Sequence, residues 1–197
     1  MSNNLAITEN LVSHNLRQLR GKALWAALAT LIDGEGCICL LKNKKESGIH
    51  QYYPVISVVN TNIAWLNAWC ERVEKGAVRG FIPSNNNWKA RATWQINKKA
   101  DVVYILKRVL PFLFCKVEQA LTILDFIENK VILPYGERNH QRPSEVELLR
   151  RNAAYIKMRQ LNAKGNPERL YAEHPELDGD IVRPTEPSVE LDDNVLV

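Results

Sequence analysis

Long apolar runs are missing from this 197-residue sequence, the longest uncharged one being the ten residues Ala23–Ile32. A membrane-spanning helix needs roughly 20, so no transmembrane segment is expected. The first residues are polar and lack the basic start, apolar run and small-residue cleavage site of a secretory signal. Cysteine is scarce too. Four thiols (Cys37, Cys39, Cys70 and Cys115), set mostly among apolar neighbours, exclude a disulfide scaffold and suit a reduced, intracellular chain. Cys37 and Cys39 share one strand face, but no second pair follows at zinc spacing. The four histidines (His14, His50, His140, His174) are scattered, with none paired for catalysis or metal binding. Gly-rich phosphate loops, Gly-x-Ser-x-Gly turns and internal repeats are also absent. What remains is ordinary globular composition, 46% hydrophobic and 24% charged, long enough for one domain or two small ones.

The formal net charge of +4 hides an asymmetry. Residues 165–197 hold nine acidic and two basic residues (−7), leaving 24 basic and 13 acidic (+11) in residues 1–164. A basic body with a separate acidic tail suggests a polyanionic partner, nucleic acid being the commonest, against the plainer alternative of a solvated basic surface.

Residues 1–21 read as a polar N-terminal extension with a short helix near Leu11–Arg20. Lys22–Asp33 is rich in Ala and Leu and free of Pro and Gly, which predicts a helix. It is apolar nearly all round and is therefore expected to be buried. Gly34-Glu35-Gly36 is expected to end it. Strands are predicted at Cys37–Lys42, Tyr52–Asn60, Ala77–Pro83 and Trp88–Asn97, with turns at Asn43–Gly48 and Ser84–Asn87 and a helix over Asn62–Lys75. Helices follow at Ala100–Leu110, Lys116–Asn129 and Ser144–Leu161. This order predicts an α+β fold over residues 22–164. Residues 165–197, acidic and Pro-containing, read as a tail of low order.

In Trp88–Asn97 one face carries Lys89, Arg91, Thr93, Gln95 and Asn97, and the other Trp88, Ala90, Ala92, Trp94 and Ile96. The polar face has no carboxylate. Its cations, amides and hydroxyl match the donors and acceptors of a nucleic-acid groove. Ala77–Pro83 adds Arg79 beside Phe81.

Leu28-Ala29-Thr30-Leu31-Ile32-Asp33-Gly34-Glu35-Gly36 resembles the signature of the LAGLIDADG homing endonucleases. Six positions are identical to the motif, and Glu35 replaces its second acid by a longer one. The motif closes a helix and runs into a strand. The resemblance extends through Asn60-Thr61-Asn62 and Leu110-Pro111-Phe112-Leu113-Phe114-Cys115-Lys116, so it covers residues 22–130 well and the C-terminal helices loosely.

The resemblance implies an αββαββα core, an antiparallel saddle-shaped DNA-binding sheet, and a homodimer joined through the motif helices. It implies a site-specific double-strand DNA endonuclease acting at a long, near-palindromic target with Mg²⁺ or Mn²⁺. The metal ligands would be Glu35 and the Gly34 carbonyl. Lys116 would stabilise transition-state charge, and Asn62, or alternatively Asn60, would orient metal-bound waters. Asn43, Lys45, Tyr53, Arg79, Lys89, Arg91, Thr93, Gln95 and Lys98 would contact DNA. Ala23, Ala27 and Thr30, a stripe of small residues, would form the helix–helix seam. Thr30 stands where the motif has its first glycine, and Cys37, Cys39 and Leu41 make the first strand less polar than base readout prefers. Asp33 reads as a structural residue at the helix end. Two alternatives share the scaffold: an intron RNA maturase and a catalytically silent DNA-binding protein. The compartment would be intracellular, that of the encoding intron's host, whether organelle, bacterium or phage.

Overall fold

The structure, a computed structural model, describes residues 14–44, 48, 50–82, 89–129 and 143–163. Its order is α1 (Gly21–Glu35), β1 (Gly36–Lys44), β2 (His50–Asn60), α2 (Ile63–Val73), β3 (Ala77–Phe81), β4 (Arg91–Ile96), α3 (Lys99–Val109), a 3₁₀ turn (Leu110–Phe112), α4 (Val117–Glu128) and α5 (Glu145–Asn162). This is the expected α+β architecture with its αββαββα core. The four strands form one antiparallel sheet in the order β1-β2-β4-β3.

The helices cover one face of the sheet. Ile38 and Leu40 of β1, Ile56 and Val58 of β2, and Ala92, Trp94 and Ile96 of β4 are buried there, against Leu28 and Ile32 of α1, Leu66 of α2, Ile105 and Leu106 of α3, and Ile123 of α4. Burying such side chains contributes roughly 1.5–3 kcal/mol each, which is what holds the helices on the sheet. Trp94 adds a hydrogen bond from its indole N–H to the Lys75 carbonyl (2.9 Å). Gly76 has φ +77°, and a Cβ there would lie 2.4 Å from the Gln95 carbonyl oxygen, so only glycine lets β3 enter beside β4.

Several boundaries depart from the sequence-based expectations. The helix α1 does not break at Gly34; it runs through Gly34 and Glu35 and ends at Gly36, whose N–H bonds the Ile32 carbonyl. A Cβ on Gly36 would lie 2.8 Å from the Ile32 Cα and oxygen, whereas one on Gly34 meets nothing. Nor is α1 buried all round. Leu24, Leu28, Ala29, Leu31 and Ile32 face the core, but Ala23, Thr30 and Gly34 are exposed. Asn43 and Lys44 belong to β1 rather than to the turn, and β4 begins at Arg91, after Lys89.

Residues 14–18 are helical, and Leu16 enters the core. Arg72 of α2 holds this segment by donating to the Leu16 carbonyl (3.3 Å) and the Leu19 carbonyl (2.6 Å). Residues 14–20 therefore pack with the domain. The 84–87 turn, Lys45 and residues 165–197 lie outside the described residues.

The helix α5 docks through polar contacts. Asn152 accepts from Lys42 Nζ (3.0 Å) and from the Tyr52 hydroxyl (3.2 Å), while Lys42 also sits 5.3 Å from the Tyr155 ring centre. Burial pushes the Tyr52 hydroxyl above its ordinary pKa, helped by Tyr155, while Arg151 opposes the shift. At the start of α5, buried Glu147 pairs with Arg150 (2.8 Å) and Arg151 (2.7 Å). The hydrogen bond that Arg150 donates to Glu147 raises the Arg150 pKa further, so this pair stays ionised.

Candidate metal centre and nucleic-acid interface

The end of α1 carries two acids with different fates. The Asp33 carboxylate accepts three backbone N–H groups: Phe114 (2.7 Å), Cys115 (3.3 Å) and Lys116 (3.0 Å). These residues precede α4, so Asp33 supplies from a distant helix the acceptor that a local N-cap would provide; α4 has no side-chain cap of its own. Asp33 is thus structural, as its position suggested. The same contact brings the Lys116 side chain onto the α1 terminus, where its Nζ donates to the Asp33 carbonyl.

Glu35 is different. It is exposed, and among the described residues its carboxylate makes no hydrogen bond or ion pair. It also stands in the last turn of a helix with no basic residue in that turn. There the macrodipole disfavours an anion and favours a cation, by roughly 0.3–1 kcal/mol. A free hard carboxylate at the negative end of a helix, next to exposed Gly34, is chemically suited to Mg²⁺ or Mn²⁺. Among the described residues no three His, Cys, Asp or Glu side chains gather as a metal site. Of the two acids at the α1 terminus, Glu35 is the open one.

Asn62 has another engagement. Its Oδ1 caps α2 by accepting from the Trp65 N–H (3.0 Å), and Asn60 Oδ1 accepts from the Asn62 N–H (2.8 Å). Both carboxamide oxygens, expected to orient water, serve the turn into α2.

The sheet face opposite the helices is open. The strand registers place Cys37, Cys39, Leu41 and Asn43 of β1 on it, with Gln51, Tyr53, Val55, Ser57 and Val59 of β2. Thr93 and Gln95 of β4 join them, as do Arg91 and the β3 residues Ala77, Arg79 and Phe81. No acidic residue stands on this face among the described strand positions. Arg79 is exposed and paired in register with Thr93. Arg91 lies over the Phe81 ring, 5.2 Å from its centre. Tyr53 is exposed, its hydroxyl donating to Gln51, and Asn43 is exposed near the strand end. Lys89 and Lys98 are exposed just outside the two ends of β4. Sequence reasoning missed Gln51, Ser57 and Val59. Both faces of β2 are apolar enough to blur its alternation, and only the register resolves them. On the β1 half, hydrogen bonding with Cys37, then burial, pushes the Cys39 thiol far above its ordinary range, so it stays protonated.

Of the expected seam residues, Ala23 and Thr30 are exposed and Ala27 is half-buried. The Thr30 hydroxyl bonds back to the Ala26 carbonyl (3.0 Å), which leaves its methyl outward.

No protein-family model matches the sequence, and no curated protein matches it. Solved structures do. The homing endonuclease I-CvuI in complex with its target is 19% identical, with a TM-score of 0.57 over 81% of this chain and 98% of that one. The chain has the LAGLIDADG homing endonuclease fold. The archaeal intron-encoded homing endonuclease I-Vdi141I complexed with DNA is 17% identical, with a TM-score of 0.55 over 72% of this chain and 85% of that one. The LAGLIDADG meganuclease I-CpaMI bound to uncleaved DNA is 16% identical, with a TM-score of 0.54 over 85% of this chain but 52% of that one. The chain thus spans nearly all of I-CvuI and about half of I-CpaMI.

Proposed function

We propose that the protein is a metal-dependent, site-specific double-strand DNA endonuclease that acts as a homodimer. The observation that carries this reading is the α1 terminus. Glu35 is left open there while Asp33 is consumed in holding Lys116 beside it. A protein that only bound DNA would gain nothing from an unpaired carboxylate next to phosphates.

The open face of α1 (Ala23, Ala27, Thr30 and Gly34) supports pairing with a second copy, because small side chains let two backbones approach closely. Two-fold pairing would bring two Glu35 side chains together and calls for a near-palindromic target. Glu35 and the Gly34 carbonyl would hold Mg²⁺ or Mn²⁺, which when bound lowers the pKa of water and stabilises charge on the phosphate. I-CvuI has been crystallised on DNA with magnesium and with calcium. Lys116, with its backbone fixed by Asp33, would supply a cation to stabilise charge developing on the scissile phosphate. Arg79, Arg91, Thr93 and Gln95 would read base edges from the open face, with Asn43, Lys45, Tyr53, Lys89 and Lys98 contributing at its margins.

The test is cleavage of the gene's own insertion locus, joined without the insert, with Mg²⁺ and with EDTA. A metal-dependent double-strand cut, abolished in Glu35→Gln with binding retained, supports the reading. Tight binding without cutting moves it to a silent DNA-binding protein, and binding to intron RNA in preference to duplex moves it to a maturase.

A further inference from the structure

The open sheet face is divided. Its β3–β4 half carries Arg79, Arg91, Thr93 and Gln95, whereas β1 carries Cys37, Cys39 and Leu41, paired in register with Ser57, Val55 and Tyr53 of β2. Leu41 is 43% exposed on this face, whereas Val55, opposite Cys39, is buried. The cysteines are half-buried, and Cys39 is held as a neutral thiol, so the β1 side chains from Cys37 to Leu41 offer duplex DNA neither charge nor a strong hydrogen bond. This half also holds no carboxylate that would repel phosphate.

The one apolar group that base pairs present in the major groove is the pyrimidine C5 methyl, normally that of thymine. We propose that the β1 half of the face selects C5-methylated pyrimidines: Cys37, Cys39 and Leu41 form a methyl-reading strip, while the arginines of the other half hold the duplex. The inference rests on the DNA-binding reading above and adds a specificity to it. Strand geometry sets where the methyls should be. Cys37 follows Glu35 by two residues and Leu41 by six, or about 7 and 20 Å along a strand rising 3.3 Å per residue. At 3.4 Å per base pair these distances fall about two to six base pairs from the scissile phosphate.

The test starts with the full-length protein and a random duplex library, from which bound sites are selected and sequenced. The recovered site is then remade with single deoxyuridines in place of thymidines, and separately with 5-methylcytosine in place of cytosine. The expected result is thymine enrichment two to six base pairs from the cut, with about fourfold weaker binding for each methyl removed there, the worth of one buried methylene-sized group. Deoxyuridine farther out should change nothing. Cys39→Ser and Leu41→Asn should erase the uridine effect while leaving Arg79-dependent affinity. Restored binding with 5-methylcytosine would show that the methyl itself is read rather than the thymine ring. Sequence-selective binding that is indifferent to uridine at every position overturns the inference and leaves the DNA reading standing. Absence of any sequence-selective duplex binding, unchanged by Arg79→Ala, overturns both.

Discussion

Asp33 allows a quantitative test of how the candidate site is built. Its carboxylate receives three N–H groups from residues 81 to 83 positions away, at 2.7, 3.3 and 3.0 Å. Hydrogen bonds to a charged group contribute roughly 1.5–3 kcal/mol each when shielded. Phe114 and Cys115 are exposed, so water competes for their bonds, and the three act as one unit rather than adding. A comparable loss is that of an N-cap together with the charge at the helix start, about 0.5–2 and 0.3–1 kcal/mol. Asp33→Ala is therefore expected to cost about 1–3 kcal/mol, and Asp33→Asn, which keeps one acceptor oxygen, about half as much. Urea unfolding followed by circular dichroism would read this as a midpoint lowered by about 0.5–1.5 M for a slope near 2 kcal/mol/M. Lys116→Ala is the control. Its Nζ meets only a carbonyl at the helix end, so stability should change by less than about 0.5 kcal/mol while cleavage is lost. If Asp33→Ala unfolds within 0.5 kcal/mol of wild type, the anchor does not hold α4 in solution and the placement of Lys116 fails with it. If Lys116→Ala destabilises as much as Asp33→Ala, the lysine is structural and not part of the chemistry.

Glu35→Gln should leave the metal-free protein as stable as wild type or up to about 1 kcal/mol more so, because it removes an anion from the negative end of α1; Mg²⁺ should raise the wild-type melting temperature but not that of the variant. Gly36→Ala should cost about 1–3 kcal/mol in thermal unfolding, since its Cβ would press on backbone atoms of Ile32 at 2.8 Å, whereas Gly34→Ala should be nearly neutral. Glu147→Ala, which leaves Arg150 and Arg151 without their buried partner, should cost about 3 kcal/mol and loosen α5, visible as faster amide exchange there. Iodoacetamide at pH 8 should label exposed Cys115 first, while Cys39, its thiol pKa raised, should resist until the pH is well above the ordinary thiol range.

The fold was legible where side-chain pattern and burial agree. In β4, Ala92, Trp94 and Ile96 are buried and Arg91 is exposed, as the alternation predicts. The motif helix was legible in its composition but not in its end. Glycine at 34 looks like a stop, yet the stop is set by what surrounds position 36, where only a hydrogen side chain fits over Ile32. Nothing local says that one side of α1 is exposed, because Ala23 there is as apolar as the residues the helix buries. The candidate site was half legible. Glu35 and Lys116 stand out as residues, but the contact that joins their segments spans more than 80 positions and passes through backbone N–H groups, which leave no trace in side-chain pattern. Asn62 shows the reverse: a polar residue before a helix suits a capping role as readily as a site, and the structure uses it as a cap.

The two sides of α1 can be altered independently of each other. Leu24, Leu28 and Ile32 belong to the interior of one chain, while Ala23 and Thr30 do not, so volume added or removed at those two leaves that interior untouched. If two copies meet there, a larger residue on one and a smaller one on the other would favour mixed over like pairs. Two such variants with different sheet faces would together read a target whose halves differ, and the symmetry of the recognised sequence would become an engineering choice.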